Sequence, residues 1–152
     1  MQGFFYIFSI FEKIFNYNNL RLIPLFFSVL CFILIYLTSL RTNSNHKVAH
    51  IAIGLFTLNI YGLIAGLQID IDGAILPFFV LSSYYFYLRA IVDGNKKFIL
   101  PLVVAIAGGF LAKLSFVLFI GALALDYLWT VYEKKDLKAG IKKFVYLFGG
   151  MA

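Results

Sequence analysis

Asp70 and Asp72 stand two residues apart in QIDIDGAILPFF, where one long apolar stretch ends and the next begins. A carboxylate at the edge of an apolar span is expensive to keep, and carboxylates kept there commonly serve ions, substrates or protons. Two cations hold comparable places: Arg21 opens one apolar stretch and Lys113 interrupts another. A cation can offset negative charge that develops in a reaction, and a carboxylate can hold a divalent metal that does the same. Other chemistries lack their residues. There is no phosphate-binding glycine loop, no dinucleotide fingerprint, no HExxH and no nucleophile elbow. His46 and His50, four apart, can share a helix face, but no cysteine or second acid accompanies them as a metal set would require. Cys31, the one cysteine, lies inside an apolar run and has no partner for a disulfide.

The elements that must position these residues are set by composition. Of 152 residues, 62% are hydrophobic and only 13% charged, with 18 Phe and 10 Tyr. A soluble domain of this size must turn much of its area to water and has no place for so much apolar surface. The chain therefore reads as an integral membrane protein, all-α and polytopic. Its apolar runs are 22–40, 48–69, 74–92 and 98 to about 132. A bilayer core of about 30 Å takes about 20 helical residues, so each of the first three runs spans once. The fourth is too long for one span, and a lysine at mid-bilayer would cost about 2.5–3.5 kcal/mol. Placing Lys113 and Ser115 at a turn removes that cost and divides the run into 98–112 and 114–132. The expectation is a transmembrane helical bundle of about five spans, an integral multi-pass membrane protein, of the cell membrane if the source is prokaryotic.

Charge sets the orientation. Alternate sides of the five spans collect Arg41, Lys47, Arg89, Lys96, Lys97, Lys134, Lys135, Lys138, Lys142 and Lys143 on one face, against Lys13, Arg21 and Lys113 on the other. The richer face is cytoplasmic by the positive-inside rule. Asp70, Asp72, Arg21 and Lys113 then share the outer face. The net charge of +6 is accounted for by topology, and the basic residues form no aromatic-laced stripe for nucleic acid. Residues 1–20 read as an outer-face interfacial helix, interrupted by Glu12 and Lys13, without a signal peptide's basic start or cleavage site. Residues 21–132 form the bundle, and 133–152 form a basic cytoplasmic segment followed by what reads as the opening of a sixth span cut short. A chain that begins outside with no span to carry it there reads as a fragment lacking its first span.

The stretch from NNLRLIPLFF through QIDIDGAILPFF to AIAGGFLAKLSF, about residues 17–132, resembles the GT-C membrane glycosyltransferases. Within them it is most similar to the dolichyl-phosphate-mannose protein mannosyltransferases and the related aminoarabinose transferases. The elements that carry the likeness are Arg21-Leu22 opening a helix, Asp72 ahead of Phe78-Phe79, and a Gly-rich helix end, Gly108-Gly109-Phe110-Leu111-Ala112-Lys113. The resemblance implies a GT-C-like bundle that transfers a sugar from a polyprenyl-phosphate carrier to a protein or lipid acceptor at the outer face. It further implies that Asp72, Asp70, Lys113 and Arg21 contact phosphate or sugar, and that a divalent metal, if one is used, is held at Asp72. The family's catalytic acid lies on an outer loop after a first span that this sequence does not contain, so the resemblance assigns no catalytic base here.

Each of these residues also has a plain structural role open to it. Asp72, ahead of Gly73 and Ala74, suits a helix N-cap. Asp70 suits a solvated loop, and Lys113 and Arg21 suit anchors that snorkel to the headgroups. Gly108 and Gly109 suit close helix packing. Trp129 with Tyr132, and the Tyr84, Tyr85 and Tyr87 group near Arg89, read as aromatic belts, and Asp126 as interfacial. Beside the transferase stand two other classes: a non-catalytic accessory subunit, and a transporter component, which would need a polar stripe that no span carries.

Overall fold

The computed structural model describes Ser9, Lys13 and residues 22–58 and 74–133, with side chains as far as Trp129. The expected interfacial helix at 1–20, the latter part of the second span, Arg21, Asp70, Asp72 and the basic segment from 134 lie outside the described residues. Within them the fold is all-helical: α1 Leu22–Asn43, α2 His46–Leu58, α3 Leu76–Tyr87, α4 Ile99–Ala112 and α5 Phe116–Glu133. The chain divides into two compact units, Met1–Phe116 and Val117–Ala152.

Proline and asparagine set where these helices begin. All three prolines of the chain, Pro24, Pro77 and Pro101, fall in the first turn of α1, α3 and α4, where a missing N–H leaves no hydrogen bond unmade. The turns after α1 and α3 share one design. Ser44 adopts a left-handed φ of 51° and donates its N–H to the Leu40 carbonyl at 2.8 Å, closing α1. Asn45 follows, and its side chain accepts the Lys47 N–H at 2.9 Å, capping α2. After α3, Gly94 takes φ 71° and Asn95 accepts the Lys97 N–H at 3.2 Å, opening the 3-10 turn Lys96–Phe98 that leads into α4. Between α3 and Gly94 the helix widens into a π-helical turn, Leu88–Val92.

The described part of the first unit is built from two antiparallel pairs. α1 packs on α2 through Phe32 and Phe56, edge to face at 5.4 Å, and through Tyr36, which reaches His46 and His50. α3 packs on α4 through Phe86 stacked on Phe98 at 6.1 Å, and through Phe79, whose ring lies over Gly108. The pairs are joined by α1 against α3, where Phe27 meets Phe78 at 5.0 Å and the buried Cys31 thiol lies 3.7 Å from the Ala74 carbonyl oxygen.

α1 is the one helix among the described residues that is both long and apolar enough to cross a membrane. Its 22 residues extend about 33 Å, a match to a bilayer core of about 30 Å. His46–Leu58, Leu76–Val92 and Phe116–Trp129 are shorter apolar helices. α1 turns Leu22, Leu25, Phe26, Val29, Ile33 and Leu37 outward, an apolar stripe at helical spacing that would be unfavourable in water. In the second unit, α5 exposes Leu118, Leu125 and Trp129 and buries Leu123 and Tyr127, four residues apart. Tyr87 departs from the belt role expected of it: it is 1% exposed, and its ring belongs to the core of the first unit. Tyr84 and Tyr85, half-buried, leave the core to it.

Candidate functional site

The helix break expected at Lys113 is present. Ala112 ends α4, Lys113 has extended backbone (φ −156°, ψ 134°), and α5 starts at Phe116. The Lys113 N–H donates to the Gly109 carbonyl at 3.0 Å, while its own carbonyl accepts the Phe116 N–H at 3.0 Å. One residue thus closes α4 and opens the following helix, and the lysine falls at an end instead of mid-helix.

Two glycines shape this end. A Cβ on Gly108 would overlap the Phe79 ring, and one on Gly109 would come within 2.5 Å of the Phe116 ring. Both rings lie against bare backbone, which is the close packing expected of this pair. Ala112 joins Ile23 and Ile75 in one apolar cluster with Phe27 and Phe79. The beginning of α1, the beginning of α3 and the end of α4 therefore meet. These are the described neighbours in sequence of Arg21, Asp72 and Lys113.

A second cluster, missed by the sequence reading, occupies the far ends of the same helices. Arg41 grips Asp93 with two hydrogen bonds, from Nε to Oδ2 at 2.9 Å and from Nη2 to Oδ1. Arg89 adds Nη1 to Asp93 Oδ2 at 3.3 Å and lays its guanidinium over the Phe98 ring, 5.1 Å from the centroid. The hydrogen bonds from Arg41 hold the Asp93 carboxyl below the usual carboxylate range, with a smaller contribution from the charge of Arg89. Ile23 and Arg41 are 18 residues apart on α1, so the two clusters are separated by about 27 Å. Half of this cluster was legible in the sequence: Arg89 and Asp93 stand at i and i+4, a favourable helical ion-pair spacing. Arg41, 52 residues from Asp93, gave no local signal.

Tyr36 and His46 share a hydrogen bond at 3.0 Å between the phenol and Nδ1, and His50 Nδ1 lies 2.6 Å from the His46 carbonyl. The Tyr36–His46 bond and the Tyr36–His50 ring contact tie α2 to α1, and among the described residues no three His, Cys, Asp or Glu gather as a metal set.

With this geometry in place, the chain can be set against known proteins. The family model for dolichyl-phosphate-mannose-protein mannosyltransferase matches residues 3–152, and the chain belongs to that family. No curated protein and no solved structure matches it. Members of the family are membrane proteins with glycosyltransferase-like function, in keeping with the long apolar α1.

Proposed function

We propose that this chain forms a multi-pass GT-C-like helical bundle serving transfer of a sugar from a polyprenyl-phosphate carrier to an acceptor at the membrane face bearing Lys113. One observation carries the reading. Ala112, which precedes Lys113, packs with Ile23 and Ile75, at the opposite end of the bundle from the Arg41–Asp93 pair. That packing gathers, around one end, the helix termini that the sequence links to Arg21, Asp72 and Lys113. By the positive-inside rule the Arg41 end is cytoplasmic and the Lys113 end faces out.

Lys113 and Arg21 offset negative charge on the carrier phosphate as the glycosyl bond breaks, an electrostatic contribution that grows where water is excluded. Asp72, with Asp70 beside it, contacts the sugar or holds a divalent cation against the phosphate. The acceptor is a protein or lipid hydroxyl presented at the same face.

The test is binding of polyprenyl-phosphate mannose to the full chain reconstituted in nanodiscs. Loss of one charge-assisted hydrogen bond is worth about 1.5–3 kcal/mol, so Lys113→Gln should weaken binding about 10-fold or more. Asp72→Asn should abolish any metal dependence of that binding. Parent-like affinity in both variants would remove this face as the donor site.

A further inference from the structure

The opposite end of the bundle holds a charge imbalance that the ion pairs do not consume. Asp93 is fully engaged by Arg41, which takes both carboxylate oxygens. Arg89 reaches the same carboxylate by a single 3.3 Å contact, and among the described residues its Nε is shielded from solvent without a hydrogen-bond partner. Its guanidinium is nevertheless held in place, face against Phe98. The turn over it is pinned by the Asn95 N–H donating to the Arg89 carbonyl at 3.1 Å, and it carries the exposed Lys96 and Lys97. Among the described residues, Asp93 is thus the one anion of a turn region that also carries Arg89, Lys96 and Lys97 and is gripped by Arg41, a local excess of positive charge. Exposed apolar residues bracket this turn in the chain, Val92 at 44% and Leu100 at 72% exposure.

We infer that this end is a docking surface for an anionic phospholipid of the adjoining leaflet, its phosphodiester received by Arg89, Lys96 and Lys97 and its acyl chains lying along Val92 and Leu100. The excess charge selects an anion. The neighbouring exposed apolar residues select one that carries hydrocarbon, which a free phosphate does not. A guanidinium already oriented by stacking loses little freedom when it forks onto phosphate oxygens. The inference rests on the membrane-spanning reading given above and concerns the face opposite the proposed sugar-transfer site.

The test is the lipid retained by the full chain extracted from nanodiscs of mixed phosphatidylcholine and phosphatidylglycerol, read by native mass spectrometry. A basic residue near a membrane surface is worth about 1 kcal/mol, about fivefold in occupancy. Phosphatidylglycerol should be enriched over its bulk share in the parent, and Lys96→Gln and Lys97→Gln should each lower that enrichment about fivefold. Arg89→Gln should lower it at least as far. If the arginine variant fails to fold, the two exposed lysines carry the test. An unenriched parent, or variants that keep the parent's enrichment, overturns the inference. Displacement of the lipid by inorganic phosphate, against chloride at the same ionic strength, overturns the choice of a lipid. Nanodiscs of phosphatidylcholine alone separate the two readings. A chain not retained in them fails the membrane-spanning reading, whereas a chain retained in them that does not sort lipids fails only this inference.

Discussion

Gly108→Ala adds one methyl group where the Phe79 ring already lies, and its cost can be worked from the structure. The new Cβ would stand 2.6 Å from Cζ and 2.8 Å from Cδ1 of Phe79, well inside van der Waals contact. The ring has little room to retreat, because it packs on Phe27, 6.4 Å away, and on Phe78, 5.2 Å away. Overpacking of this kind costs about 1–3 kcal/mol. Against it stands the better helix propensity of alanine, worth up to about 1 kcal/mol. Gly54→Ala in α2 supplies the reference, since nothing lies within 4 Å of the Cβ it would add. Helix propensity is common to both variants, so their difference isolates the overlap, about 1–3 kcal/mol. At about 2–4 °C per kcal/mol for a chain of this size, Gly108→Ala should melt about 2–12 °C below Gly54→Ala in thermal unfolding in detergent. Phe79→Leu in the Gly108→Ala background should recover part of the loss, because the smaller side chain vacates the contested space. Equal melting of the two alanine variants would refute the claim that Phe79 seats on the α4 backbone.

Two further outcomes are expected. Asp93 has a depressed pKa, so the stability it contributes is complete above its unfolded value of about 3.9 and is lost as pH falls through the lower folded value. The parent should therefore lose stability below about pH 4 relative to Asp93→Asn, which lacks this pH dependence; coincident acid-unfolding profiles would show that the Arg41–Asp93 pair contributes nothing. On a Cys31→Ser background, Ser44→Cys and Ser115→Cys should react with a membrane-impermeant maleimide from opposite sides of sealed vesicles, and reaction of both from one side would refute the proposed topology.

What the sequence disclosed was local punctuation. The three prolines, Asn45, Asn95 and Gly94 each act on backbone within a few residues, a local signal of helix ends that the reading by apolar runs did not use. Lys113 was legible for a similar reason, a lone charge in an apolar run whose burial cost demanded an end. Which surfaces meet was not legible. Gly108 could be assigned to close packing from sequence, but not its partner: nothing separates Phe79 from the other 17 Phe as the ring that seats on it, and only the fold pairs them. The Arg41–Asp93 pair was hidden in the same way, as was the burial of Tyr87, which a list of aromatic residues near a helix end cannot separate from a belt. The widened turn at Leu88–Val92 has no composition of its own. Of the candidate site, Lys113 was placed at a helix end, while Arg21, Asp70 and Asp72 fall outside the described residues, so their roles rest on the proposal.

The two matched turns, a left-handed residue followed by a capping asparagine, bear on the order in which the first unit assembles. Each turn is closed by bonds spanning no more than a few residues, so the α1–α2 and α3–α4 pairs can form with little loss of chain entropy. The Arg41–Asp93 bond joins one turn to the other across 52 residues, and its loop-closure cost is met only after both pairs exist. The salt bridge is then a late latch between two finished hairpins, and changes to it should quicken their separation while leaving the folding of each pair unchanged.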